Sequence, residues 1–189
     1  MPAAKRKKQI LLSAIRVFAR STYHGATTKN IAEEAGVKLA LHPDDPPRES
    51  VRGIPRIANS VENYDRILGL YESEHNGVTF CQGNFTAMGV DIPETIRHFG
   101  DRIHFVHFRD IEGDADRFAE TFHDNGPTDM EAAMQAYVDI GYDGPMRPDH
   151  VPTMAGESNE IPGYHTNGRL YAIGYMRGLL ESMEGETTS

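Results

Sequence analysis

Four short apolar segments, separated by stretches of helical periodicity, constrain the fold of this chain more than any other feature. The segments are KLALHP, VTFCQG, IHFVHFR and GPMRPD, and each predicts a short β-strand closed by a proline, a glycine or a charged residue. Between and after them, the sequence predicts helices over residues 60–74, 93–99, 129–140 and 166–183. Strands that alternate with helices pair in parallel through right-handed crossovers, so we predict an α/β fold built on a parallel sheet.

At or next to the end of each predicted strand lies a side chain that can bind a metal ion. These are His42, Cys81, His107 and Asp149. The carboxyl ends of parallel strands meet at one edge of a sheet, so these nitrogen, sulfur and oxygen ligands can converge on one transition-metal ion. Each also has an ordinary structural explanation, such as burial for the cysteine or an ion pair with Arg147 for the aspartate. Because packing alone rarely places four such residues at four strand ends, the sequence predicts a shared metal site.

Two arginines near the same strand ends are candidates for binding a substrate carboxylate through bidentate hydrogen bonds. Alternation along the third strand predicts one face made of Ile103, Phe105, His107 and Arg109, and an opposite face made of His104, Val106 and Phe108. The same alternation places Arg147 beside Asp149 in the fourth strand. Each arginine is therefore expected on the side that carries a metal-type ligand, although Arg109 has an alternative partner in its neighbour Asp110.

Two further residues suit proton transfer. His150 follows Asp149 directly, so it can reach the same pocket as a base rather than as a metal ligand. Tyr164, in the loop IPGYHTNGR, offers a phenol that can donate a proton. A surface position for the histidine and a loop-capping role for the tyrosine are the alternatives.

Charge is distributed unevenly along the 189 residues, whose formal net charge is −9 at pH 7. Residues 1–31 contain seven Lys or Arg and no acidic residue, whereas the rest of the chain contains 12 Lys or Arg and all 28 Asp and Glu. The basic end suits a polyanionic partner and the acidic body does not. One cysteine excludes an internal disulfide, and we find neither a secretory signal nor an apolar run long enough to span a bilayer. We therefore expect a cytoplasmic protein without a membrane partner.

The basic end predicts two helices. The first covers residues 5–20 and is amphipathic, and a break follows at the YHG tripeptide of residues 23–25. The second covers residues 29–35, with Thr27 or Thr28 as its cap.

The same region carries a resemblance to a family of DNA-binding proteins. The string ILLSAIRVFARSTYHGATTKNIAEEAGV resembles the start of TetR-family transcriptional regulators, over about residues 5–37. The resemblance ends where that family's recognition helix should begin, because the apolar run KLAL follows instead. Without a recognition helix nothing enters the major groove. We therefore expect residues 1–37 to form a basic helical segment without sequence-specific DNA binding.

Six motifs of the body, in this order, resemble the C-terminal half of mannonate dehydratase: HPDDPP, FCQGN, HFVHFRD, FHDNGPTDM, MRPDH and PGYHTNGR. The likeness covers about residues 32–182. It implies a (β/α)8 barrel enzyme that uses Mn²⁺ or Fe²⁺ to remove water from the sugar acid D-mannonate, giving 2-keto-3-deoxy-D-gluconate. It also implies roles for individual residues: His42, Cys81, His107 and Asp149 as metal ligands, His150 and Tyr164 as the proton-transfer pair, and Arg147 as a substrate-side arginine.

A complete (β/α)8 barrel needs about 250 residues, whereas the sequence predicts four βα units. We therefore expect half a TIM barrel over residues 38–183, with the helical segment 1–37 packed on it and a disordered polar tail over 184–189. A half barrel has two open sheet edges, so we expect little turnover unless two copies of the chain pair. The alternative function is a TetR-type regulator whose acidic body binds a ligand, and a third is an inactive fusion of both. The βα pattern argues against a TetR body, which is all-helical.

Overall fold

The computed structural model describes residues 1–21 and 25–186, and this part of the chain forms seven α-helices and eight β-strands. The helices are α1 (Ala3–Arg20), α2 (Thr28–Ala35), α3 (Val61–Gly69), α4 (Gln82–Ala87), α5 (Ile92–Phe99), α6 (Met130–Asp139) and α7 (Thr166–Glu186). The strands are β1 (Leu39–Leu41), β2 (Ser50–Val51), β3 (Ile54–Pro55), β4 (Asn76–Cys81), β5 (Ile103–Phe108), β6 (Ile111–Gly113), β7 (Phe118–Glu120) and β8 (Met146–Pro148). None of these helices is long and apolar enough to cross a membrane.

Four strands form the central sheet, in the order β1-β4-β5-β8, and all its pairings are parallel. This confirms the parallel sheet predicted from the sequence. Cys81 is paired with His107, and His107 with Arg147, so these residues lie level across three neighbouring strands. The carboxyl ends of the strands therefore meet at one edge, where the predicted ligands lie.

Large apolar side chains pack between the sheet and the helices. Phe80 of β4 stacks on Phe85 of α4, with ring centroids 4.4 Å apart. Further aromatic rings from α3, α5 and α6 contact this pair, namely Tyr64, Phe99 and Tyr137. All five residues are at most 3 % exposed. Burial of each contributes roughly 1.5–3 kcal/mol, so this core fixes the positions of the strand ends that carry the site.

Strand β5 departs from simple alternation at its start. Its register against β4 shifts after Ile103, so His104 is an extra residue in the ladder between these two strands. Ile103 packs into the core with Val106 and Phe108. The prediction that Ile103 shares the face of His107 was therefore wrong, because one extra residue reverses the alternation.

Two hairpins and one short helix were not predicted. Strands β2 and β3 pair around Arg52 and Gly53, whose φ angles of 52° and 76° suit a two-residue hairpin turn. Strands β6 and β7 pair inside the segment 110–128, which was predicted as a polar loop. Helix α4 begins directly after Cys81, where the sequence indicated only the end of a strand.

Helix boundaries differ from the predictions at two places. Helix α3 ends at Gly69 rather than at residue 74, and the residues that follow it turn toward α2. There Tyr71 and Ser73 donate hydrogen bonds to the carboxylate of Glu33, at 2.8 and 2.7 Å. Helix α7 continues to Glu186, past the start of the predicted tail, and residues 187–189 lie outside the described part of the chain. Of the predicted break at residues 23–25, only the glycine is described.

The two N-terminal helices have the predicted positions and pack on each other. Helix α2 begins with a reciprocal capping box between Thr27 and Asn30. It ends at Gly36, whose φ of 58° is the left-handed conformation that favours glycine. Arg16 of α1 donates to the carboxylate of Glu34 at 2.6 Å, which ties the first helix to the second.

Candidate metal and proton-transfer site

Three of the four predicted metal ligands converge at the carboxyl edge of the sheet. Cys81 ends β4, His107 lies in β5 and His42 directly follows β1, so adjacent strands supply them. One ligand atom of each lies within 4.8 Å of the other two, and Nε2 of His42 is 3.2 Å from Nδ1 of His107. Two atoms bonded to one ion at about 2.0–2.3 Å lie up to roughly 4.6 Å apart, so the three side chains are within a small adjustment of sharing one ion. The three residues therefore form a candidate metal site.

Asp149, the fourth predicted ligand, lies beside this cluster. Its Oδ2 atom is 3.4 Å from Nδ1 of His107 and 3.8 Å from Nε2 of His150. Its Oδ1 atom accepts a hydrogen bond from Nη2 of Arg147 at 2.7 Å. One carboxylate oxygen is therefore bound to the arginine and the other faces the histidines. The side chain of Arg147 is 46 % exposed, so it remains accessible to an anion at this edge of the sheet.

Hydrogen bonding and burial set the protonation states within the cluster. Nδ1 of His42 donates to the carbonyl oxygen of Pro43 at 2.7 Å, since a carbonyl oxygen can only accept, and Nε2 is left facing His107. Burial lowers the pKa of His107 to about 4, although the Asp149 carboxylate opposes this shift. Burial raises the pKa of the Cys81 thiol to about 11. These groups fit a metal ion. His107 is neutral at pH 7, as a metal ligand must be, and the charge of a bound ion would stabilise the thiolate form of Cys81.

Arg109 lies next to the cluster and is enclosed by protein groups, with a side chain that is 2 % exposed. Its Nε and Nη2 atoms donate to Glu120 at 3.0 and 2.6 Å. Its Nη1 atom is 3.1 Å from Oδ1 of Asn84, 3.4 Å from Oδ2 of Asp45 and 3.7 Å from Sγ of Cys81. This placement does not favour the predicted role of Arg109 in binding a substrate carboxylate, because protein acceptors already occupy its donors.

The structure brings the two predicted proton-transfer residues into contact. Nε2 of His150 is 2.7 Å from the phenol oxygen of Tyr164. A bridge between Val151 and Gly163 holds the tyrosine loop in place. Gly163 has a φ of +82°, and a Cβ atom there would come within 3.2 Å of the imidazole of His150. The close approach of loop and ring therefore requires glycine at this position.

Comparison with known proteins identifies relatives of this chain. The family model described as D-mannonate dehydratase (UxuA) matches residues 12–189. Mannonate dehydratase 2 from Halalkalibacterium halodurans is 42% identical over 168 residues, which are 86% of this chain and 48% of that protein. This chain belongs to the mannonate dehydratase family. Mannonate dehydratase from Enterococcus faecalis is also 42% identical, over 82% of this chain and 44% of that protein. The chain thus spans about half the length of the curated relatives it matches.

Solved structures agree with membership of the mannonate dehydratase family. The crystal structure of mannonate dehydratase from Streptococcus suis serotype 2 matches with a TM-score of 0.75 at 39% identity, covering 80% of this chain and 45% of that one. A D-tagatose 3-epimerase-like protein matches with a TM-score of 0.63 at 19% identity, over 84% of this chain and 52% of that one. At that identity the second match concerns the fold alone. The α/β fold of this chain therefore matches TIM-barrel, sugar isomerase-like structures over part of their length.

The family match corrects the interpretation of the N-terminal segment. It begins at residue 12, so most of the segment 5–37 lies inside the mannonate dehydratase match rather than before it. The start predicted near residue 32 was too late, and the comparisons give no support to the TetR resemblance. An amphipathic helix followed by a capped second helix occurs in unrelated folds. Any helix that packs on a core needs apolar residues three or four positions apart, so this spacing does not identify a family.

Two residues of the site were not predicted. Glu120 contacts both Arg109 and His150, but it lies in a hairpin that the sequence did not indicate. An acidic residue in a polar segment carries no signal of what it will face. Asn84 lies three residues after Cys81, about one helical turn, and its position in the FCQGN motif is the signal that could have identified it.

Proposed function

We propose that this chain carries the metal-binding and proton-transfer residues of a hydro-lyase that converts D-mannonate into 2-keto-3-deoxy-D-gluconate and water. The observation that carries the proposal is the position of Asp149. Its Oδ2 atom lies 3.4 Å from His107 of the metal cluster and 3.8 Å from His150 of the proton-transfer pair. Loss of water next to a carboxylate requires charge stabilisation and acid–base groups within one site. Family membership supports the choice of a sugar acid as substrate.

Four residues would hold the ion: His42, Cys81, His107 and, through Oδ2, Asp149. A set of nitrogen, sulfur and oxygen ligands suits a first-row transition metal, and the family resemblance supports Mn²⁺ or Fe²⁺. When bound, the ion would supply Lewis-acid stabilisation for the negative charge that develops on the substrate as the C2 proton leaves. Arg147, half-exposed beside Asp149, would bind the substrate carboxylate.

His150 would remove the C2 proton through Nε2, and Tyr164 would protonate the hydroxyl group that leaves from C3. The electron pair of the C2–H bond becomes the C2=C3 double bond as the C3–O bond breaks, and the hydroxyl departs as water. The 2.7 Å contact between Nε2 and the phenol oxygen lets the histidine return its proton to the tyrosinate. The enol that remains becomes the 2-keto product when C3 takes up a proton.

The sheet supports the proposal that this chain forms half of a barrel-type site. In the described residues, β1 and β8 each pair with one other strand of the sheet and are its edges. A closed (β/α)8 barrel contains eight parallel strands, so further strands beside β1 and β8 would enclose the site. We propose a second copy of the chain as the partner for this closure. Enclosure should raise turnover, because charged groups act more strongly once water is excluded.

The test uses the purified chain with D-mannonate and Mn²⁺ or Fe²⁺. We expect bound metal, exchange of the C2 proton with deuterated solvent, and formation of the 2-keto acid. The variant H150N should keep its metal and lose the exchange, because the histidine is proposed as a base and not as a ligand. Absence of both exchange and product from a metal-loaded oligomer would refute the proposed function. Full turnover by a chain that light scattering shows to be monomeric would refute closure by a second copy.

A further inference from the structure

Glu120 links a buried arginine to the proposed base. Its Oε1 atom accepts hydrogen bonds from Nη2 of Arg109 at 2.6 Å and from Nδ1 of His150 at 3.0 Å. Its Oε2 atom accepts from Nε of Arg109 at 3.0 Å. His150 reaches Tyr164 through its other nitrogen at 2.7 Å. The four side chains form a continuous series from the interior, where the Arg109 side chain is 2 % exposed, to Tyr164, which is 43 % exposed.

The hairpin of β6 and β7 holds Glu120 in a fixed place. At its base, the buried carboxylate of Asp110 accepts hydrogen bonds from the backbone N–H and the hydroxyl of Thr128, at 2.9 and 2.7 Å. The ring of Phe118, at the start of β7, lies 5.7 Å from the guanidinium of Arg109. Contacts at the base of the hairpin and at the start of β7 therefore restrict the position of the Glu120 carboxylate.

The direction of the hydrogen bonds follows from the charge of Glu120. Burial raises the pKa of this carboxyl group, but the hydrogen bonds from His150 and Arg109 together outweigh burial and hold it below its usual value. An ionised carboxylate has no proton to donate, so the proton in its contact with His150 lies on Nδ1. In the neutral ring Nε2 then carries a lone pair, and the hydroxyl of Tyr164 is the donor in the second contact.

We propose that Glu120 is a positioning residue, which fixes the tautomer and ring orientation of His150 so that the unprotonated Nε2 faces Tyr164 and the substrate. Its effect on catalysis rests on the proposed function, whereas the tautomer is a property of the protein alone. Arg109 would support this role by holding the carboxylate with two hydrogen bonds. If the Arg109–Glu120 pair served only the fold, the proton of His150 could lie on either nitrogen, and this difference is measurable.

The first measurement is the tautomer of His150, by long-range ¹H–¹⁵N NMR of the purified chain at about pH 8, with the signal assigned from H150N. We expect the Nδ1–H tautomer in the wild-type protein. It should persist in E112Q, which alters an exposed acid on the neighbouring strand β6, and in Y164F. It should shift toward Nε2–H in E120Q, because the glutamine amide, unlike a carboxylate, can donate a hydrogen bond to Nδ1 as well as accept one. An Nε2–H tautomer in the wild type, an unchanged tautomer in E120Q, or loss of the Nδ1–H form in Y164F would each overturn the proposal. If E120Q fails to fold, the wild type and Y164F still decide.

The second measurement separates positioning from folding. E120Q should lower kcat for D-mannonate roughly 100-fold and leave KM within about threefold, since a general base contributes on that order and Glu120 does not touch the substrate. E112Q should match the wild type in both constants. A wild-type kcat in folded E120Q would overturn the proposal. If the wild-type chain neither exchanges the C2 proton nor forms product, the proposed function fails, and the tautomer measurement decides the role of Glu120 alone.

Discussion

Replacing Arg109 by methionine tests how the site is held together. The arginine side chain is 2 % exposed, and the Glu120 carboxylate that it binds is 22 % exposed. Methionine keeps an unbranched apolar stem against Gly83, where a Cβ atom would lie 3.0 Å from the arginine Cδ. The variant therefore removes the charge and leaves Glu120 without its main partner. Removing one member of a buried ion pair costs about 3–5 kcal/mol, and the partial exposure of Glu120 places the expected loss near about 3 kcal/mol.

A surface ion pair provides the matched control. Arg97 of α5 binds Asp139 of α6 at 2.8 Å, with side chains that are 46 % and 40 % exposed. The variant R97M removes the same chemical group from a pair of similar length, but water can solvate the aspartate that remains. We expect it to lose no more than about 1 kcal/mol, so the difference between the two variants measures the effect of burial.

Urea unfolding followed by far-UV circular dichroism measures both losses of free energy, and thermal unfolding followed by the same signal gives the matching changes in Tm. At roughly 2–4 °C per kcal/mol for a chain of this size, R109M should lower Tm by about 6–12 °C and R97M by less than about 4 °C. The double variant R109M/E120Q should recover part of the loss, because no uncompensated carboxylate remains. If R109M loses no more stability than R97M, the reasoning from the buried Arg109–Glu120 pair is refuted.

Three further predictions concern the metal, pH and DNA. Cys81→Ser should lower the affinity for Mn²⁺ or Fe²⁺ by at least about tenfold, because a hydroxyl is a poorer ligand than a thiolate, and unchanged metal content would exclude the cysteine as a ligand. Burial lowers the pKa of His123 from its ordinary value of 6.5. Its contribution to stability is therefore complete above that value and is lost as the pH falls below it. The variant H123Q should accordingly flatten the pH dependence of the free energy of unfolding between about pH 7 and pH 5, and an unchanged pH dependence would contradict this. DNA binding by the chain should be weak and strongly salt-dependent, and a gel shift that distinguishes one operator from random DNA at physiological salt would contradict this.

The converging ligands could be predicted because each depends on a local pattern. An apolar run closed by a turn residue marks the end of a strand, and parallel pairing then brings neighbouring ends together. His42, Cys81 and His107 follow from this rule without knowledge of any loop. The rule fixes which edge of the sheet a residue occupies, and it does not depend on the detailed register.

The partners of Arg109 could not be predicted in this way. Simple alternation placed this arginine beside the metal ligands, and the structure does place it there. Its main partner, Glu120, lies in the hairpin of β6 and β7, which no short sequence pattern signals. The register shift at His104 could not be predicted either, because it depends on a residue of another strand. Gly77 of β4 has no side chain, and this leaves room for the imidazole of His104. Non-local contacts of this kind decide whether a charged group faces substrate or protein.

A complete enzyme of this kind would need both correctly placed site residues and a site closed to water, and this chain meets the two requirements to different degrees. The candidate ligands and the proton-transfer pair all come from β1, β4, β5, β8 and the loops that follow them, so their mutual distances are set within this chain. Metal binding depends on those distances, and the tautomer of His150 depends on its contact with Glu120, which also lies within this chain, so both should be intact in the chain alone. Turnover depends also on exclusion of water, which the open edges at β1 and β8 do not provide. Closing the sheet should therefore raise kcat much more than it raises metal affinity.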